Sequence, residues 1–385
     1  MKRTPIHLGS VDGLRGIAAL TVVIHHLFNC SGFPELRPFL NVNLLRPLHD
    51  GWIGVNLFLV LSGFCLFWPL ARDPARVLHF GSFMRRRFWR IVPAYYASLI
   101  LVPLALWLQH RIGLWNGPAN GPNSGLDVVL HLLLLQSFAA ESFRSWNSLT
   151  WSLGLEWTWY LFFPIAVWMF RKVGPRRGVA VLGASTLIYT VAAYLVVGPS
   201  NRLGLEQEFA IRNFLFARLW EFGLGMLVAS WIAQHTLSRR RTLLALAAVP
   251  VLLVIGHATS SVDPMLPVRN TIYGVAFALL LLAATGSAGN PLHRVLEARW
   301  LRQIGESSYS LYLFHLPVVF LVTTLLSRTD FYGVTRFFLS LLSLPLIVWL
   351  AKWEFRAFEH PFLVVREKRT PPPGALSLLQ PEVAP

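Results

Sequence analysis

The sequence predicts an all-α, polytopic integral membrane protein of about ten transmembrane helices. Three observations predict it. Of 385 residues, 55% are hydrophobic and only 14% charged, with a mean hydropathy of +0.53. Apolar runs near the ~20 residues that a helix needs to cross a bilayer recur along the whole length. Arginines cluster in alternate connecting segments, as in chains that cross a membrane repeatedly. The net charge of +16 would point to nucleic acid on a water-soluble domain. Here it follows from the loop arginines, and no nucleic-acid partner is expected.

The first span is read at 11–29. Its basic start, MKRTPIHLGS, looks like a signal peptide, but Asp12, Arg15, His25 and His26 interrupt the apolar stretch and no small-x-small cleavage site follows. It is therefore retained as a membrane helix. The other spans are read at 51–70, 91–109, 149–170, 178–198, 212–233, 242–257, 270–286, 306–326 and 334–356. With the N-terminus in the cytoplasm, the inside segments hold clusters such as Arg85, Arg86, Arg87 and Arg90, or Arg239, Arg240 and Arg241. The outside segments hold scattered residues such as Arg37, Arg111 and Arg328. Both termini are thus predicted cytoplasmic.

Between the third and fourth spans, WNGPANGPNSG cannot continue a helix. The DVVLHLLLLQSF that follows is apolar but too short to cross, and predicts a helix lying at the outer surface or re-entering it. Residues 1–370 read as one membrane domain and 371–385 as a disordered cytoplasmic tail. Cys30 and Cys65 form no disulfide or metal-ligand pattern, and no metal is expected.

Charge inside a bilayer costs at least ~2.5 kcal/mol per residue, so each such residue needs a reason. Arg15 and His26 are eleven positions apart, which places both on one helix face about 16 Å apart along the axis. His25 points about 100° away. A long ligand with an anionic end at Arg15 and a reactive end at His26 fits this spacing. So do a snorkelling arginine and a plain interhelical hydrogen bond. Arg87 and Arg90 share a face where the third helix is expected to begin. They suit a phosphate, or serve only as topogenic charge. Glu156 lies near the start of the fourth span, at a depth similar to that of His26, and is a candidate acid, base or orienting group. Arg218 and Glu221 read as a salt bridge. Ser308, Ser310, Tyr312 and His315 in the ninth span suit interhelical bonding or catalytic support. Ser62-Gly63 in the second span allows close approach of a helix or ligand.

Together these stretches resemble membrane acyltransferase family 3. SVDGLRGIAALTVVIHH is similar to the family's first-helix signature, a basic residue and, after ten intervening positions, a histidine; this selects Arg15 and His26. The SGF of Ser62, Gly63 and Phe64, the Arg-x-x-Arg of Arg87 and Arg90, WSLGLEWTWYLFFP with Glu156, SYSLYLFH and FEHPF follow in the family's order. The resemblance covers about residues 8–363. Many members carry a further helix and an SGNH-type domain, for which this chain ends too soon, so any relay to such a domain would need a separate periplasmic transferase.

The resemblance implies transfer of an acyl group, most often acetyl, from acyl-coenzyme A to a hydroxyl of a carbohydrate or glycosylated acceptor at the inner membrane. His26 and Glu156 are the implied catalytic residues. Arg15, Arg87 and Arg90 are expected to hold acyl-CoA, with Ser62, Ser310, Tyr312 and His315 in support. The alternatives are a transporter or flippase of a glycan or lipid-linked precursor, which buried charge also suits, and a scaffold whose charges only pair helices.

Overall fold

A computed structural model describes residues 8–32, 46–115, 121–199, 202–259, 262, 267–286 and 291–363. Lys2, Arg3, Arg37 and the tail at 371–385 lie outside the described residues. The described chain is helical, with no strand. Ten helices are long and apolar enough to cross a membrane: α1 (Gly9–Cys30), α2 (Asp50–Arg72), α3 (Phe80–Arg111), α4 (Trp151–Val173), α5 (Pro175–Val197), α6 (Leu215–Gln234), α7 (Arg239–Ala258), α8 (Val268–Gly286), α9 (Ser308–Ser327) and α10 (Gly333–Leu363). Each coincides with an expected span.

Helices α2 and α6 are the most enclosed, whereas α5, α7 and α10 lie at the periphery. Glycine decides the central crossing. A Cβ on Gly63 of α2 would lie 2.0 Å from the Phe222 carbonyl oxygen of α6, and one on Gly225 of α6 would lie 2.0 Å from that of Val60. The two backbones therefore touch at reciprocal positions, the packing that small residues allow where no hydrophobic effect drives helices together. The same device seats the short helix Arg299–Glu306 on the start of α1, where Gly16 abuts the Leu301 carbonyl and Gly305 abuts the Asp12 carbonyl.

Two boundaries differ from expectation. Helix α3 begins at Phe80, about three turns before the predicted limit of 91. Arg85, Arg86, Arg87 and Arg90 are therefore helical rather than in a loop, and their charge obscured the helix. Helix α10 continues to Leu363 through a π-helical turn at Phe355–Glu359. A sequence period does not reveal such a turn.

The DVVLHLLLLQSF stretch forms a helix at Gly125–Leu132 followed by a 3-10 turn at Gln136–Phe138. Its polarity is inverted: Asp127, His131 and Gln136 are buried, while Leu126, Val129, Leu132 and Leu133 are exposed. Ser124 caps it by accepting from the Asp127 amide. Polar groups turned inward and leucines turned outward suit a segment set against lipid. Burial lowers the pKa of His131, opposed by its bond to Asp127 at 2.9 Å.

Candidate active site

One cavity, of about 910 Å³ including its open mouth, lies among α1, α2, α3, α4 and α9. Arg15 reaches it from α1, and Arg87 and Arg90 from α3. Helix α2 contributes one broad face: Val55, Phe58, Leu59, Leu61, Ser62, Cys65 and Leu66. Glu156 and Tyr160 face it from α4, and Ser308, Tyr309 and Tyr312 from α9.

Its electrostatics are one-sided. Three guanidiniums line the cavity with a single carboxylate, Glu156. Among the described residues, none of Arg15, Arg87 or Arg90 forms an ion pair, although five other carboxylates do. Arg87 lies 5.6 Å over each of the Phe83 and Tyr160 rings, and its buried Nε has no hydrogen-bond partner. Glu156 accepts from Ser62 Oγ at 3.1 Å and from the Tyr160 hydroxyl at 2.5 Å. The Ser152 hydroxyl donates to Tyr312 at 2.9 Å, and Tyr312 in turn to the Leu149 carbonyl at 3.2 Å. The Tyr309 hydroxyl donates to the Ile91 carbonyl at 2.9 Å.

Arg15, Arg87, Arg90, Ser62, Glu156 and Tyr312 thus meet at one site. His26, His315 and Ser310 do not line it. His315 follows Tyr312 by one turn, with ring centroids 6.4 Å apart, and the His26 and His315 rings are 5.0 Å apart. His26 therefore stands one layer behind the cavity wall. Its Nδ1 lies 2.8 Å from the Val22 carbonyl and 3.2 Å from His315 Nε2. The Nδ1 of His315 faces the Leu311 and Tyr312 carbonyls, both at 3.0 Å. This network assigns the proton to Nδ1 on both rings and leaves Nε2 of His26 as its unprotonated nitrogen. Glu156, expected at the level of His26, bonds Ser62 and Tyr160 instead. Ser310 points away and donates to the buried Glu359 in the π-helical turn.

Beyond His26 lies a second polar cluster that spacing did not reveal. His25 packs edge-on to His26 at 5.0 Å and to His49 at 6.0 Å, and Asp50 contacts His49 at 3.4 Å and His257 at 2.5 Å. Its members are remote in sequence, which is why no motif carried them. Among the described residues, no group of three His, Cys, Asp or Glu side chains is placed to hold a metal. Tyr160 was legible one helical turn after Glu156, and Cys65 three residues after Ser62. The Arg218–Glu221 salt bridge is present at 2.8 Å and fully buried.

Ten helices long and apolar enough to cross a membrane, enclosing a cavity lined by three arginines, define a multi-pass membrane protein. The chain belongs to the acyltransferase domain family, acyltransferase 3, which it matches over residues 8–353, and is thus a membrane acyltransferase. It is 29% identical over 332 residues to the acyltransferase MdmB of Streptomyces mycarofaciens, covering 82% of this chain and 79% of that one. It is 24% identical to the peptidoglycan O-acetyltransferase OatA of Listeria monocytogenes and 22% to the O-acetyltransferase OatA of Staphylococcus aureus. Those matches cover 94% and 93% of this chain but 57% of each relative. No solved structure matches.

Proposed function

We propose that this protein is an O-acyltransferase that moves an acyl group, acetyl in the simplest case, from acyl-CoA to a hydroxyl of a carbohydrate or glycosylated acceptor. The observation that carries the reading is the convergence on one cavity of Arg15, Arg87 and Arg90, which form no ion pair among the described residues. Coenzyme A carries its negative charge on phosphates at one end and its thioester at the other. Arginine grips phosphate through its planar fork of donors. The O-acetyltransferase names of the OatA relatives support acetyl transfer to oxygen, and the peptidoglycan in the name of the Listeria monocytogenes relative supports a glycan acceptor.

The donor's phosphates would sit on the arginines, with the pantetheine arm running past Ser62 toward Tyr312. Glu156, held by Ser62 and Tyr160, would face the reactive end and orient it. His26, presenting Nε2, would serve as base toward the acceptor hydroxyl or as transient acyl carrier. Tyr312 and His315 stand between the cavity and His26, so the thioester would have to pass them to reach its Nε2. Acylation of the hydroxyl releases the coenzyme A thiol, which takes up the proton lost by the acceptor. The arrangement suits a donor entering from the cytoplasm, both termini on that side, and residence in the inner membrane.

The test uses the full-length protein in native membranes. Arg90→Ala is expected to weaken acetyl-CoA binding about tenfold to a hundredfold, the loss of one charge-assisted contact. His26→Ala is expected to retain binding and abolish acyl transfer to surface glycan, read by mass spectrometry. Normal acylation by His26→Ala membranes refutes the role of that histidine. Acetyl-CoA binding unchanged by Arg90→Ala refutes the donor site.

A further inference from the structure

We propose that Cys65 is a covalent modification site within the cationic cavity, taking an anionic, phosphate-bearing thiol as a mixed disulfide that closes the cavity to the acyl donor. The proposal rests on reading the cavity as an anion site and adds its regulation. Helical phase and exposure agree on where the thiol points. Val55, Phe58, Leu59, Ser62 and Cys65 form one stripe of α2, all of it on the cavity. Cys65 is exposed although both neighbours on the helix, Phe64 and Leu66, are buried. The opening it faces is the cavity.

The thiol's surroundings select the partner. Arg15, Arg87 and Arg90 line the same cavity as Cys65. They draw an anionic disulfide toward the thiol. Independently, Ser308 lines the same cavity, is fully buried, and leaves its hydroxyl without a hydrogen-bond partner among the described residues. A buried hydroxyl without a partner is costly unless a ligand atom meets it. Cys30, the other free cysteine, does not line the cavity.

The step is thiol–disulfide exchange. Cys65 loses its proton and attacks one sulfur of a disulfide whose halves carry phosphate. The Cys65–S bond to that sulfur forms, the original S–S bond breaks, and the departing thiolate takes up the proton. The disulfide is the oxidant, and a free thiol reverses the reaction. The adduct would occupy the space of the donor's phosphates.

The experiment incubates the purified full-length protein with coenzyme A disulfide or with cystamine, a cationic disulfide, and follows intact mass over time. Peptide mapping of the wild-type adduct locates it without reliance on a variant. The expected result is one adduct on Cys65, forming at least about tenfold faster with the anionic disulfide, and none in Cys65→Ser. An adduct on Cys30 instead, no adduct at all, or an equal or faster reaction with cystamine overturns the proposal. Prior addition of acetyl-CoA tests the donor reading separately. Charge-selective labelling that acetyl-CoA does not slow sustains the thiol site and counts against the donor. Slowing by acetyl-CoA without charge selectivity counts against the thiol site alone.

Discussion

Gly63→Ala separates packing from chemistry at the α2–α6 crossing. The added carbon would lie 2.0 Å from the Phe222 carbonyl oxygen, 2.8 Å from its carbonyl carbon and 3.0 Å from its Cα. All three are backbone atoms that cannot rotate aside. Restoring ordinary contact near 3.4 Å requires the helices to part by about 1.4 Å. Overpacking of this kind costs typically 1–3 kcal/mol, and a rigid backbone on the other side puts this case near ~3 kcal/mol. That corresponds to a fall in Tm of roughly 5 °C. The displacement also moves Ser62, the adjacent residue, whose 3.1 Å bond to Glu156 does not tolerate a shift of that size. Acyl transfer is therefore expected to fall together with Tm. The assay is thermal unfolding of detergent-purified protein alongside acetyl transfer in membranes. Gly81→Ala on α3 is the control: its Cβ meets nothing within 4 Å, so alanine should be neutral or slightly stabilising. A Gly63→Ala protein melting within ~1 °C of wild type, with full activity, refutes the close-packing argument.

Further outcomes follow from the same structure. Replacing Arg218 by Ala leaves Glu221 buried and uncompensated, and a loss of about 3–5 kcal/mol in denaturant or thermal unfolding is expected; a loss under 1 kcal/mol would show the pair to be dispensable. Burial lowers the folded-state pKa of His131 below its unfolded value of 6.5, so its contribution is complete above pH 6.5 and is lost as pH falls below it. Lowering pH from about 7.5 to 5.5 should therefore reduce Tm more in wild type than in His131→Asn, and equal reductions would remove His131 as the cause. For topology, Arg328→Cys in a background lacking Cys30 and Cys65 should react with an impermeant maleimide added outside intact cells. Reaction only after the inner face is opened would reverse the proposed orientation.

Hydropathy alone placed all ten spans, because a bilayer demands a run of apolar residues whatever the helix packs against. The two boundary exceptions have separate causes. Arg85, Arg86, Arg87 and Arg90 look like a loop because their charge masks an ordinary helix, and the apolar measure cannot see a helix that carries charge beside a cavity. The π-helical turn at Phe355–Glu359 depends on local backbone bonding that composition does not encode. Within the site, spacing put Arg87 with Arg90 and aligned Arg15 with His26. Its depth near the start of the fourth span singled out Glu156, and the motif resemblance added the implied catalytic role.

The sequence by itself determined the membrane class, the number of spans, the residues whose polarity needed a reason and the family resemblance, since each depends on local composition or on order along the chain. Only the tertiary structure decided which of those residues share a compartment. It brought Arg15, Arg87, Arg90, Ser62 and Glu156 to one cavity, added Cys65 and Ser308, and set His26 behind Tyr312 and His315. It also divided Ser62 from Gly63, giving one to the cavity and the other to α6. The reason is physical. Helical phase fixes which residues of one helix point together, but contact between helices depends on packing at the glycine crossings, between residues distant in sequence.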